Sequence, residues 1–321
     1  MGRLVNGEWS DEWYDTRSNG GRFAREKAVF RGWVTPDGRP GPAGQKGFHA
    51  QRGRYHLYVA LACPWSHRTL IARQLKGLRD IVSVSSTHFL MGERGWTFEP
   101  GPEVIPDMVN RVEAVHQLYT LADPRFTGRA TVPILWDIVA GTIVSNESSD
   151  IIRMFNDAFD KLGAAPGDYY PIELRHEIDP INARVYDPLN NGVYRAGFAT
   201  SQAAYDEAVS DVFAALDWLE DRLRYREYLA GERLTEADIR LFPTLIRFDL
   251  AYVGLFKCNL RRLSDYPRLS AYLARLARLE AFRQTLSTLH IKQHYYGLRR
   301  LNPSGIVPIG PALHVESPRA C

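Results

Sequence analysis

Cys63 stands where a cysteine can react. Ahead of it runs an apolar, β-prone segment (Tyr55, Leu57, Tyr58, Val59, Ala60, Leu61) that stops at Ala62-Cys63-Pro64. Behind it Ile71, Leu75 and Leu78 recur at helical spacing on one face. Pro64 suits the first helical position, where its fixed φ fits the turn and its missing N–H is not needed. Gly77 is the expected stop, with Arg73 and Lys76 at the negative end of the dipole. Cys63 is therefore expected at the mouth of a strand-to-helix turn, before the N–H groups of the first helical turn. That field, equivalent to about half a positive charge, favours thiolate over thiol. His67 and Arg68, one turn on, add positive potential. A lone cysteine taken by itself reads as an inert buried hydrophobe; the strand, the proline and the amphipathic helix around Cys63 favour a reactive one.

The elements that must carry this cysteine follow in order. Ile81–Ser86 is a second short β-prone run. A long connection holds HFLMGERGWTF (His88–Phe98) and an expected helix near Val109–Leu118. Ala130–Asp137 and Thr142–Ser145, joined near Ala140-Gly141, predict a hairpin. Asn146-Glu147-Ser148-Ser149 then precede Ile151, Ile152 and Phe155, with polar groups where a helix cap belongs. The order β-α-β, then β-β-α, predicts a mixed sheet with helices packed on it. Past a polar break at Leu162–Asp168, helical periodicity takes over. Val212, Leu216, Leu219 and Leu223 form the cleanest stripe, and Asp265–Leu279 reads as another amphipathic helix. Thr235 and Asp238 form a capping box, with Leu234 and Ile239 as its staple. The expected fold class is α/β plus all-α. We divide the chain into an N-terminal extension over 1–52, an α/β domain over 53–160, an all-helical domain over 165–295 and a C-terminal extension over 296–321. Phe30, Trp33 and Phe48 are expected to dock the first extension on the folded body; Asn302–Cys321 holds too many Pro and Gly residues to be helical.

Composition narrows the partners. A chain of 321 residues has room for two ordinary domains, and 45% hydrophobic with 24% charged residues is ordinary for a globular protein. The net charge of +3, carried mostly by scattered Arg, gives no case for nucleic acid or an anionic membrane as principal partner. Cys63, Cys258 and Cys321 lie far apart, with no CxxC and no metal-ligand spacing. No disulfide framework and no metal are expected, which suits a reducing compartment. The opening MGRLVNGEWSDEW carries charges where a signal peptide needs an apolar core, and no apolar stretch approaches the ~20 residues of a membrane span. A cytoplasmic protein is expected.

Taken residue by residue, Val132-Pro133 reads as an ordinary trans X-Pro at a strand edge, and Glu147-Ser148 as a helix cap. Trp96 reads as a half-buried loop aromatic. Together with the Cys-Pro turn and the helical second half, however, the chain resembles the glutathione transferase superfamily. It is most similar to the glutathionyl-hydroquinone reductases, the xi class. The resemblance rests on Cys63-Pro64-Trp65-Ser66-His67-Arg68, GERGWTF and SNESSDIIRMFN (Ser145–Asn156). It rests equally on VYRAGFATSQAAYDEAV (Val193–Val209), LTEADIRLFPTLIRFD (Leu234–Asp249) and HIKQHYYGLRRLNPSGI (His290–Ile306), so that it spans nearly the whole chain, both extensions included. Ser66 replaces the usual Ala.

The resemblance implies a thioredoxin-like first domain, a helical second domain and a homodimer. Glutathione is the implied co-substrate. Val132-Pro133 would hold a cis bond and offer the Val132 backbone to the cysteinyl part of glutathione, as an added strand does. Glu147 and Ser148 would take the γ-glutamyl group at a helix N-terminus, with Glu147 on its ammonium. Trp96 would cover the bound tripeptide. Tyr194, Tyr252 and Tyr295 would line an aromatic acceptor pocket, Tyr194 or Tyr295 serving also as proton donor, with His294 beside Tyr295 as a further candidate. The implied reaction reduces a glutathionyl-hydroquinone through a Cys63–glutathione mixed disulfide, which a second glutathione resolves to release glutathione disulfide. Three other readings stay open. A Cys-type thioltransferase or dehydroascorbate reductase would use the same thiol; a conjugating transferase would use Ser66; a non-catalytic transferase-like module would not bind glutathione.

Overall fold

The computed structural model describes residues 2–312; Cys321 and the last part of the C-terminal extension lie outside them. Strands β1 (Arg3–Val5), β2 (Glu8–Ser10), β3 (Trp33–Thr35), β4 (Gly47–His49) and β5 (Tyr55–Val59) lead into α1 (Pro64–Leu75). Then follow β6 (Val82–Ser86), α2 (Val115–Ala122), β7 (Gly128–Arg129), β8 (Ile134–Asp137), β9 (Thr142–Ser145) and α3 (Ser148–Asp157). Helices α4 (Arg175–Val185), α5 (Gly192–Gly197), α6 (Gln202–Arg222), α7 (Glu236–Arg247), α8 (Pro267–Arg278), α9 (Glu280–Arg283) and α10 (Thr288–Gly297) complete the chain. These form two compact units: one runs up to Trp13 and resumes over Glu26–Asp168, the other combines Tyr14–Arg25 with the chain from Tyr169 onward. The first 52 residues are thus shared between the units. No helix among the described residues is long and apolar enough to cross a membrane.

The first unit is built on a four-stranded sheet of order β6-β5-β8-β9, with β5 parallel to β6 and antiparallel to β8. Side chains on a strand alternate between its faces, and the core follows that alternation. Tyr55, Leu57, Val59, Leu135 and Val144 pack on one face with Leu70, Ile151, Ile152 and Phe155 of α1 and α3. Tyr58, Ile134, Trp136 and Ile143 pack on the other with Val115, Leu118 and Tyr119 of α2. This is the β-α-β, β-β-α arrangement expected from the strand and helix order. The N-terminal segment is woven into it: β1 pairs with β2 and with β7, and Leu4 is fully buried. Trp33 and Phe48 of the parallel pair β3–β4 lie in the α1–α3 core. Phe30 stacks on Phe126 on the opposite side of the sheet.

One local expectation is corrected. The helix placed near Val109–Leu118 starts at Val115, because Asp107 captures the backbone before it. Its carboxylate accepts from the N–H groups of Val109, Asn110 and Val112 and from the Tyr58 hydroxyl. A side chain that satisfies neighbouring amides in this way competes with helix formation. Gly77 does end α1, at φ +60°, a left-handed conformation that costs glycine little.

His56 of β5 makes the first unit sensitive to acid. It is 3% exposed, with Nδ1 2.6 Å from the Ser83 hydroxyl and Nε2 2.9 Å from the Ser85 hydroxyl. Burial pulls its pKa down to about 4, against the opposing charge of Asp107. The unfolded chain takes up this proton below about pH 6.5, the folded one only near pH 4, so stability rises with pH across that window. Acidification through it is expected to remove about 3 kcal/mol, read from urea unfolding, and His56→Asn is expected to flatten the slope. Equal slopes for the two proteins would refute this assignment.

The second unit is helical throughout its described regular elements from Arg175 onward. The expected α6 stripe is its spine: Val212, Leu216 and Leu219 are fully buried. The capping box at α7 is also present, and it does more than cap. Asp238 accepts from Thr235 N–H and hydroxyl, from Leu229 N–H and from the Tyr272 hydroxyl, so one buried carboxylate ties a helix start to the preceding loop and to α8. The helix expected over Asp265–Leu279 is α8, begun by Pro267 in the first turn.

Candidate active site

Cys63 occupies the N-cap of α1, with extended backbone (φ −78°, ψ 125°) and Pro64 directly after it. Its thiol takes no part in capping; the chain turns through the Cys63 N–H to Ala60 carbonyl bond of 2.9 Å, and the helix opens with His67 N–H on the Cys63 carbonyl at 3.0 Å. The sulfur is half-buried at the positive end of the α1 dipole, where negative charge is stabilised. It lies 3.5 Å from the Val132 carbonyl, to which the thiol donates. The Val132–Pro133 bond is cis. The sheet thus brings together a cysteine and an X-Pro turn that are 69 residues apart in sequence.

The other residues singled out in the first half of the chain stand in the same unit. Trp96, 7% exposed, belongs to the same apolar cluster as Ala62 and Val132, and Cys63 packs against that cluster. Glu147 is the N-cap of α3: its Oε1 accepts from the Ser149 N–H at 3.0 Å and from the Ser149 hydroxyl at 2.9 Å. Ser148, buried at the first position of α3, receives a bond of 3.4 Å from Arg68, whose guanidinium is 2% exposed. A buried guanidinium of α1 therefore meets the opening of α3, an arrangement suited to a carboxylate. Ser66 is fully buried and its hydroxyl oxygen accepts from the Ala60 N–H at 3.3 Å, so it serves the turn before α1 rather than an open site.

Two residues that the sequence reading did not select hold these segments. Tyr119 of α2 bonds to Thr131 and to Asn146, and Asn146 in turn bonds to the backbone of Phe30. No motif announces Tyr119, and Asn146, though it stands in the Ser145–Asn156 stretch, is given no role there by the sequence. Cys258 contrasts with Cys63: it is fully buried, and burial pushes its thiol up to about 12, out of reach of thiol chemistry. No cluster of three or more His, Cys, Asp or Glu side chains among the described residues is arranged to hold a metal ion.

In the second unit Tyr194, Tyr252 and Tyr295 converge. The Tyr194 and Tyr295 hydroxyls are 2.6 Å apart, and those of Tyr252 and Tyr295 are 3.1 Å apart. Tyr252 and Tyr295 meet edge to face, and Phe256 packs against all three rings. The helices explain the convergence: Tyr194 lies in α5, Tyr295 in α10, and Tyr252 ends a wide π-turn over Phe248–Tyr252 that follows α7. Such turns are frequent at functional sites. The Arg25 guanidinium lies 5.0 Å from the Tyr194 ring centre and bonds to Asn191 at 3.0 Å. Burial raises the Tyr252 hydroxyl well above the usual tyrosine range, and the neighbouring Tyr295 adds to this. His294 is buried with its ring against Tyr295.

Comparison with known proteins agrees with the two-unit division. The glutathione S-transferase N-terminal domain matches residues 62–158, and the glutathione S-transferase C-terminal domain matches 202–275. The chain is 57% identical over 313 residues to the glutathionyl-hydroquinone reductase PcpF of Sphingobium chlorophenolicum, covering 97% of each. It is 53% identical over 320 residues to the glutathionyl-hydroquinone reductase YqjG of Escherichia coli, covering 99% of this chain and 98% of that one. The glutathione-bound structure of YqjG superposes with a TM-score of 0.90 at 50% identity, over 99% of this chain and 98% of that chain. The xi glutathione transferase of Phanerochaete chrysosporium superposes with a TM-score of 0.85 at 48% identity, over 90% and 97%.

Proposed function

The chain belongs to the glutathionyl-hydroquinone reductases, the xi class of the glutathione transferase superfamily, and on that premise we propose that it reduces glutathionyl-hydroquinones with glutathione. Cys63 is the nucleophile. Its thiolate attacks the thioether sulfur of the conjugate, the carbon–sulfur bond breaks, and a Cys63–glutathione disulfide forms. The ring carbon gains a proton and leaves as the hydroquinone, with Tyr194 or Tyr295 as donor. The thiolate of a second glutathione attacks the disulfide, releases glutathione disulfide and restores Cys63. The observation that carries this reading is the half-buried Cys63 thiol at the opening of α1, 3.5 Å from the Val132 carbonyl beside a cis proline.

The roles within the first unit rest on the geometry described there, and that of the tyrosines on their convergence within the second unit and on the family. Val132 offers its backbone to the cysteinyl part of glutathione. Ser148 and the opening of α3 take the γ-glutamyl carboxylate, Glu147 takes the ammonium while still capping the helix, and Trp96 flanks the tripeptide. Tyr194, Tyr252 and Tyr295 hold the aromatic acceptor. No resolving thiol stands by among the described residues, where Cys258 is buried, so we assign that step to a thiol from solution, and ping-pong kinetics follow. We place the enzyme in the cytoplasm as a homodimer, on the strength of its family.

Mass spectrometry tests this directly. Incubation with a glutathionyl-hydroquinone in the absence of free glutathione is expected to leave one glutathione on Cys63, removable by dithiothreitol. A chain that turns over the conjugate without ever carrying that adduct would refute the mechanism. Parallel assays with a glutathionylated disulfide substrate and with dehydroascorbate separate the reductase from a thioltransferase: the hydroquinone conjugate is expected to be the better substrate.

A further inference from the structure

The residues that precede the two segments proposed to hold glutathione, Val132-Pro133 and Glu147-Ser148, bond to the same hydroxyl group. Tyr119 is fully buried in α2. Its hydroxyl donates to the Thr131 carbonyl at 2.9 Å and accepts from the Thr131 N–H at 3.1 Å. It also accepts from the Asn146 side-chain amide at 3.0 Å. These three bonds engage its one proton and its acceptor positions, and the Thr131 hydroxyl makes a further contact at 3.3 Å. Thr131 directly precedes Val132, and Asn146 directly precedes Glu147. Asn146 is itself fixed, its backbone N–H on the Phe30 carbonyl and its Oδ1 on the Phe30 N–H, both at 3.1 Å. The ring cannot drift: Phe126 lies 5.0 Å away and Phe30 5.9 Å away between ring centres.

We propose that Tyr119 is a positioning residue for glutathione: its hydroxyl sets the spacing between the Val132 backbone and the start of α3, and so matches both to one tripeptide. The inference rests on the assignment of those two segments as the glutathione site. Tyr119 itself touches no substrate. It acts by fixing where Val132 and Glu147 stand, and a ligand spanning two segments loses affinity when either shifts. Strand pairing joins them only further along, where Leu135 of β8 stands opposite Ser145 of β9. Thr131 and Asn146 share only a marginal side-chain contact of 3.5 Å, whereas both bond to the Tyr119 hydroxyl at 3.1 Å or less.

The test compares Tyr119→Phe with Tyr55→Phe in the full chain. Tyr55 is an equally buried tyrosine of the same unit, but its hydroxyl donates at 2.6 Å to the His49 carbonyl, and its ring packs on the opposite face of the sheet. Titration calorimetry with glutathione is expected to show Tyr119→Phe binding about tenfold more weakly, the equivalent of roughly one hydrogen bond. Tyr55→Phe is expected to bind as the unaltered chain does, although both lose stability to urea. Steady-state kinetics are expected to put the Tyr119→Phe defect in the KM for glutathione, with kcat within about twofold of normal. Should Tyr119→Phe fail to fold, Asn146→Ala cuts the same link from the other side and is expected to weaken binding likewise. Unchanged affinity in the folded Tyr119 variant, or equal weakening in Tyr55→Phe, overturns the inference and leaves the glutathione site standing. Failure of the unaltered chain to bind glutathione, or binding indifferent to Glu147→Ala, overturns the site assignment and the inference with it.

Discussion

Cys63→Ser is expected to lower turnover of a glutathionyl-hydroquinone by at least about a thousandfold while leaving glutathione affinity nearly unchanged. A serine hydroxyl fits the same turn, since Cys63 caps nothing with its side chain and the helix opens through backbone bonds that serine keeps. What is lost is the nucleophile: an alcohol is a far weaker acid than a thiol, and beside one helix opening it remains protonated. Cys258 cannot substitute, because it is buried and its thiol is held far above the usual range. Calorimetry with glutathione and rates with the conjugate therefore separate binding from chemistry in one variant. Retention of most activity would remove Cys63 from the reaction; loss of binding together with activity would point to a collapsed turn instead.

The parts of the molecule visible in the sequence are those with short-range causes. A β-prone run, a Cys-Pro turn and an apolar helix face lie within about 25 consecutive residues, and they place Cys63 correctly on an N-cap without any knowledge of the sheet. The α7 capping box is equally local, because Thr235 and Asp238 satisfy one another across three residues. What sequence reasoning missed acts over distance. Tyr119 reaches Asn146 across 27 residues, and nothing in the α2 stretch distinguishes its hydroxyl from that of any other of the 16 tyrosines. The turn at Asp107 is a closer miss. An aspartate followed by Val109, Asn110 and Val112 can accept their amides, and that competition moved the start of α2 to Val115. The N-terminal residues carry no period because their strands are only three residues long, and β1 also takes its place from a distant partner, β7. For Glu147, cap and ligand are not alternatives: capping engages Oε1 alone in the bonds it makes to Ser149. The two roles are compatible on one carboxylate.

The hydroxyl chain of Tyr194, Tyr295 and Tyr252 gives the second large prediction. Release of the ring requires a proton at the carbon that held sulfur, and a positioned acid contributes about a hundredfold to ten-thousandfold. Tyr194→Phe and Tyr295→Phe are each expected to lower kcat/KM for the conjugate about a hundredfold. Phenylalanine keeps the edge-to-face packing among Tyr252, Phe256 and Tyr295 and removes only the oxygen. Because the Tyr194 and Tyr295 hydroxyls share one short hydrogen bond of 2.6 Å, removing either disables the same proton path. The double variant should then cost little more than the worse single one, the non-additivity of groups that act as a unit. Tyr252 is held protonated by burial and touches the chain at its far end, so Tyr252→Phe is expected to cost less. The decisive readout is the separation of the two half-reactions. Glutathione attacking a preformed Cys63–glutathione disulfide expels no aromatic ring and needs no proton delivered to carbon, so its rate should be the same in all three single variants as in the unaltered enzyme. If the tyrosine variants slow both half-reactions equally, these hydroxyls maintain the helical unit and donate nothing; if they slow neither, the proton comes from elsewhere.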